Sequence, residues 1–198
     1  MEHGLARVED ALRVFRPDYH ARLRPALDGG GGGGDGGVGG DGGIGGDGGV
    51  GGVGGLIAAL PCAPSPDLVA LYRWHDGAND GPEPLFGDWS LTPAEIGLSV
   101  KHTYDELLDA GEFGADYWRS SWMPILHTGE GELLCVDVDA AGAVVWFSPE
   151  SSRRRVEFPD LGALIDALAD ALERHGPRVA DDLDHPDGYP SRVPRIEK

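Results

Sequence analysis

No run of apolar residues in this chain approaches the roughly 18 that a membrane-spanning helix requires. The opening Met1-Glu2-His3-Gly4 is not a basic stretch leading into an apolar one, so no secretory signal is expected. Cysteine is almost missing. Cys62 and Cys135 form no CxxC pair, and two cysteines are too few for a disulfide framework. Cys135 lies in the apolar run Leu133-Leu134-Cys135-Val136 and is expected to be a small buried hydrophobe. These features predict a cytoplasmic protein. Basic residues are also scarce: 16 Lys and Arg face 34 Asp and Glu, for a net charge of −18. Such a field repels phosphate backbones and anionic leaflets, which argues against nucleic-acid and membrane partners. It attracts basic proteins and speeds their encounter, although acidity also serves plain solubility.

The length suits one domain, and the foldable part is shorter than the chain. Residues 29–55 hold 20 of the 33 glycines and little that could fill a core. Their repeat of six, Gly-Gly-Asp-Gly-Gly-Val, places Asp35, Asp41 and Asp47 in register. Calcium-binding glycine and aspartate repeats have a period of nine, so a flexible insert is the better reading. Its length costs little, because loop-closure entropy grows only logarithmically. Residues 177–198 carry Pro177, Pro186, Pro190 and Pro194 among charges, including Asp181, Asp182, Asp184 and Asp187, and read as a disordered, acidic tail. The predicted organisation is an N-terminal helical segment over 1–28, the insert over 29–55, a folded domain over 56–176 and the tail.

Leu5, Val8, Leu12 and Phe15 mark one face of a helix that stops before Pro17, and Tyr19, Leu23 and Leu27 suggest a second. Ser65-Pro66-Asp67 starts a helix presenting Leu68, Val69, Leu71 and Tyr72, which Gly77 is placed to end. Residues 85–91 read as a short strand. Thr92-Pro93-Ala94-Glu95 has the form of a capping box, with Ile96, Val100, Leu107 and Leu108 as the buried face of the helix it opens. Residues 122–126, 132–138 and 143–147 are predicted strands, the last two joined as a hairpin across Asp139-Ala140-Ala141-Gly142. Asp160 caps a closing helix with Leu161, Leu164, Ile165, Leu168 and Leu172 on one face. Helices before, between and after paired strands make the fold class α+β, as a single domain.

Nothing in the chain announces chemistry. His75-Asp76 is the most tempting acid–base pair, but neighbours in sequence rarely address one substrate, and a helix-end role suits His75 better. No serine or cysteine occupies a nucleophile motif. His3, His20, His102, His127, His175 and His185 lack metal-site spacing, and the glycine tract lacks the lysine and hydroxyl of a phosphate loop. Asp137 and Asp139 alternate with Val136 and Val138 and are expected to face outward. No catalytic residue, cofactor or metal is expected. Of Trp74, Trp89, Trp118, Trp122 and Trp146, about three should be core, and any left exposed beside acids would anchor an interface.

Four segments in order resemble one family. They are Leu68-Val69-Ala70-Leu71-Tyr72-Arg73-Trp74-His75-Asp76-Gly77, then Pro84-Leu85-Phe86-Gly87-Asp88-Trp89-Ser90-Leu91 with its following helix start, then Trp122-Met123-Pro124-Ile125, then Gly131-Glu132-Leu133-Leu134-Cys135-Val136-Asp137. With the closing helix, they resemble the SUKH superfamily, in its cell-wall-assembly-regulator (Smi/Knr-like) branch. The resemblance implies a curved, mainly antiparallel sheet flanked by helices, and a protein-binding role without catalytic residues. Bacterial members are read as immunity proteins that neutralise toxins, often nucleases, and fungal members as regulatory scaffolds. It implies structural duties for Trp74, Asp76, Gly77, Trp89, Trp122, Pro124 and Asp137. The expected function is an immunity-type protein that covers a basic, nuclease-like toxin, and the alternative is a regulatory interaction module with no toxin partner. Loops on a rigid scaffold carry recognition, so Asp76, Asp80, Glu83 and Asp88 are the candidate protein-binding residues.

Overall fold

The structure, a computed structural model, describes residues 1–27, 52–114, 116–151 and 154–176. The predicted tail and the glycine insert up to residue 51 lie outside the described residues. Helix α1, Glu2–Phe15, buries Gly4, Leu5, Val8, Ala11 and Leu12. It packs along the last helix, α6, Leu161–His175, whose Leu161, Leu164, Ile165, Leu168 and Leu172 are buried in return. The helices come close at Gly4, where a Cβ would stand 3.0 Å from Ile165 Cγ2. Arg7 ties their outer edges by ion pairs to Asp170 and Glu173, each at 2.6 Å. Phe15, expected on the buried face, is 37% exposed.

The second predicted helix is only a turn, α2, Pro17–His20. Beyond it the chain runs beside residues 72–78, with Leu23 bridged to Ala78 and the Leu27 N–H donating to the Tyr72 carbonyl. Helix α3, Gly52–Ala59, begins inside the stretch assigned to the insert and buries Val53 and Leu56. Helix α4, Pro66–Trp74, starts as expected, with the Ser65 hydroxyl accepting the Leu68 N–H at 3.2 Å. It does not end at Gly77. The chain leaves the helix at His75, and Gly77 adopts its positive φ of 72° where a Cβ would lie 2.3 Å from the Pro93 nitrogen. That glycine permits a backbone crossing.

Five antiparallel strands follow in spatial order: β1, Ser90–Leu91; β2, Trp122–His127; β3, Leu133–Asp137; β4, Ala143–Phe147; and β5, Arg155–Phe158. The strand expected over 85–91 shrinks to β1, because Gly87 reverses the chain and Trp89 donates to the Phe86 carbonyl at 2.8 Å. The predicted hairpin joins β3 and β4, with Ala141 and Gly142 both at positive φ. Strand β5 was not foreseen. The register of β2 shifts between Pro124 and Leu126, a bulge where a residue without an N–H can sit.

Both faces of the sheet are covered, which explains why β3 is buried at every position. Leu134 and Val136 join the main core with α1, α4 and α6. Leu133 and Cys135 point the other way, into a cluster of Trp118, Trp122, Val145 and Phe147, against which Val100, Tyr104, Leu108, Phe113 and Tyr117 pack. Asp137 belongs to that second face. It is 3% exposed and accepts the Trp122 indole N–H at 3.1 Å, which corrects the expectation that it faces water.

Helix α5, Ala94–Asp109, holds the other reversal. Its buried residues are Ala94, Gly97 and Lys101, and Lys101 is paired with Asp105. Small side chains bring the helix close to β2: a Cβ on Gly97 would stand 2.7 Å from the Pro124 carbonyl oxygen. Ile96 and Leu107, predicted to be buried, are 49% and 38% exposed. The predicted box does not cap this helix either. Pro93 holds the N-cap position, and the Ala94 N–H is taken by Asp76.

Candidate protein-binding cleft

Asn79-Asp80-Gly81-Pro82-Glu83-Pro84 offers neither helical nor strand periodicity, and the segment forms a loop between α4 and β1. Its shape comes from one side chain. Arg22 donates Nη1 to the Asn79 carbonyl at 2.9 Å and Nη2 to the Glu83 carbonyl, with its guanidinium 5.0 Å from the Tyr19 ring centroid. The Asn79 N–H returns a bond to the Arg22 carbonyl at 2.9 Å. Further on, the buried Arg16 donates to the Leu85 carbonyl. These bonds engage loop carbonyls, not loop carboxylates.

Pairing of β1 with β2 sets Ser90 opposite His127 and brings the loop against the turn after β2. In that turn Thr128 donates its N–H to the Glu132 carbonyl at 3.0 Å. A cleft of about 430 Å³ opens between the two segments, lined by Asn79, Asp80, Asp88 and Ser90 on one side and by His127 and Glu130 on the other. No lysine or arginine lines it. Asp80, Glu83, Asp88 and Glu130 form no ion pair among the described residues. His127 contacts the Thr92 hydroxyl through Nδ1 at 3.0 Å. Burial holds its pKa below the ordinary histidine range, and the negative charge of Asp80 opposes this only in part. Burial thus favours the uncharged form of an imidazole that lines the recess together with carboxylates.

Of the four candidate binding residues, Asp80 and Asp88 are exposed on the cleft. Glu83 is half-buried, just outside the lining. Asp76 is not available. It is 4% exposed, accepts the Ala94 N–H at 2.8 Å and pairs with Arg24 at 3.0 Å, so its place among the binding residues is corrected to a structural one. Burial raises its pKa above the usual aspartate value, with the Ala94 N–H and Arg24 pulling the other way.

His75 turns from its neighbour Asp76 toward the Arg24 carbonyl and Glu9. The two therefore form no acid–base pair. Trp74 is half-buried and donates to Glu9 at 3.1 Å. Trp89, Trp118 and Trp122 are buried, and Trp146 is half-buried against the main core. Among the described residues no group of three or more His, Cys, Asp or Glu is placed to hold a metal ion, and no helix is long and apolar enough to cross a membrane.

His127 and Glu130 were not among the sequence candidates. Glu130 carries a turn signal in Thr128-Gly129-Glu130-Gly131, but its closeness to Asp80 depends on the β1–β2 register, which no local pattern specifies.

The family model described as SMI1 / KNR4 family (SUKH-1) matches residues 56–167. No curated protein matches the chain.

Proposed function

Since the chain belongs to the SMI1 / KNR4 family (SUKH-1), we propose that it acts by binding another protein, as an immunity-type inhibitor that covers a basic, nuclease-like toxin. It works by occupancy, with no bond made or broken and no cofactor. The observation that carries this reading is the cleft of Asp80, Asp88 and Glu130, whose carboxylates are left without ion-pair partners among the described residues while nearby arginines bond to backbone carbonyls. A nuclease must present positive charge to hold a phosphate backbone. An acidic recess accepts the same Lys and Arg side chains, and a net charge of −18 steers the encounter. The cytoplasm is the compartment proposed for this role.

The test begins with co-purification of the chain from its host and identification of the bound protein. Association and dissociation rates are then measured from about 50 to 500 mM salt, a range over which the Debye length changes severalfold. Salt should slow association more than it speeds dissociation, and charge reversal at Asp80 and Glu83 should do the same with the fold intact. A salt-independent association rate, or a partner without a basic surface, would leave a regulatory scaffold as the better description.

A further inference from the structure

The outer face of α5 carries two large apolar side chains, Ile96 and Leu107, that the folded chain leaves exposed among its described residues. At 100° per residue, Ile96, Val100, Thr103 and Leu107 fall within one sector roughly 60° wide, along about 16 Å of helix. Ile96 and Leu107 are 49% and 38% exposed, Thr103 is exposed between them, and Val100 is half-buried where the line meets the aromatic cluster. The line exists because the helix turns a different sector inward. Gly97 meets the Pro124 carbonyl so closely that only small residues fit there, and the larger apolar side chains are carried to the solvent shoulder. On one side the line runs into Tyr104 and Leu108, which pack on the aromatic cluster. On the other, roughly 100° around the helix, stand the exposed Glu95 and Glu106, with Asp109 and Glu112 near the C-terminal end. The helix contributes one lysine, Lys101, which is buried and held by Asp105. Its histidine, His102, is paired with Glu106.

We propose that this face is a docking surface for a basic protein, one presenting an apolar centre bordered by Lys or Arg. The proposal rests on the reading of the chain as a binder of basic proteins, but not on the cleft, which is built from different elements. An apolar strip with a charged border has the anatomy of an interface, with an apolar centre and a polar rim. The sign of the border selects the occupant. A second copy docking through the same face would set Glu95 and Glu106 against their own equivalents, and like charges in apposition disfavour that pairing. A cationic border on the partner pairs with Glu95 and adds to the contact that Glu106 makes with His102.

The test uses the full, isotope-labelled chain and a synthetic helical peptide with leucines on one face and lysines on the other. A matched peptide carrying glutamate in place of lysine is the control. Amide shifts on adding the lysine peptide should centre on residues 96–107, with little response to the control. Ile96→Ser with Leu107→Ser should weaken binding about tenfold or more, with thermal stability unchanged because both side chains are exposed. Glu95→Gln with Glu106→Gln, which removes charge without touching the apolar line, should weaken it and flatten its salt dependence. Shifts confined to the surroundings of Asp80 and Glu130 would overturn this proposal while leaving the cleft reading in place. Equal binding of both peptides would overturn it too, as would concentration-dependent self-association that the Ile96→Ser/Leu107→Ser variant abolishes. Binding of the lysine peptide at neither surface would count against both readings.

Discussion

The Asp76 carboxylate accepts the Ala94 backbone N–H at 2.8 Å and so joins the end of α4 to the start of α5. The N-cap position itself holds Pro93, which supplies no side-chain acceptor, so the helix borrows its cap from a distant residue. Asp76→Ala should therefore cost about 1–2 kcal/mol, the upper range for losing an N-cap. Asp76→Asn keeps an oxygen for the same N–H and should cost clearly less. Urea unfolding of both variants checks this, and equal losses would show that the ion pair with Arg24 matters more than the cap.

The raised pKa of Asp76 adds a sign to that experiment. A carboxyl that takes up its proton more readily folded than unfolded favours the folded state at low pH, and this contribution is lost as pH rises through its folded value. Stability of the parent relative to Asp76→Asn should therefore decline as pH rises through the window just above the ordinary aspartate value. A difference that stays flat or grows with pH there would mean that the Ala94 N–H and Arg24 outweigh burial.

Trp122 and Asp137 stand directly opposite each other on β2 and β3, with the indole N–H on the carboxylate. Trp122→Ala should cost about 3–5 kcal/mol, as for other large buried aromatics. Trp122→Phe keeps most of the bulk but removes the donor from a buried carboxylate, at about 1–3 kcal/mol. Chemical denaturation separates the two. A loss under about 1 kcal/mol for the alanine variant would place the ring at the surface.

Much of the scaffold was legible in local chemistry. Asp160 accepts the Ala163 N–H as its position predicted, and the spacing of Leu5, Val8 and Leu12 gave the face of α1. What failed depended on contacts distant in sequence. Strand β5 buries Phe158 but leaves Val156 61% exposed, so apolar residues alone gave no inward face to read. In α5 the expected face was half right: Val100 and Leu108 pack on the aromatic cluster, but Ile96 and Leu107 point outward, because the close approach of Gly97 to β2 decided which sector turns in. The acids of the candidate site could be named from a loop, and Asp80 and Asp88 reach the cleft. Asp76 could not be sorted from them without the position of Ala94.

Gly97 offers a direct test of that packing. Alanine is the better helix former by about 1 kcal/mol in an open position. Here the added Cβ would lie 2.7 Å from the Pro124 oxygen and 2.9 Å from Met123 Cε. Backbone oxygen cannot retreat as a side chain can, so Gly97→Ala should destabilise by about 1–3 kcal/mol, the range for overpacking. Ser99→Ala, on the exposed side of the same helix, should be near neutral. If thermal unfolding shows Gly97→Ala to be stabilising, α5 does not press on β2 as described.

His127 should make the protein acid-sensitive in a way that can be assigned. Burial lowers its pKa, Asp80 opposes this in part, and the groups around it are the Thr92 hydroxyl and the cleft acids Asp80, Asp88 and Glu130. A histidine that is harder to protonate folded than unfolded contributes stability above its unfolded value, and that contribution is lost as pH falls through the lower folded value. Carboxylates ordinarily titrate nearer pH 4, so a scan from about pH 8 to 5 samples mainly histidine. The parent should lose stability across that scan, and His127→Gln, which cannot gain the charge, should lose less. The same protonation places a cation in the recess, so a basic partner seated there should bind more weakly at the acidic end, again less so for His127→Gln. Parallel pH profiles of the two proteins would show that His127 titrates as it would in water and takes no part in the electrostatics of the cleft.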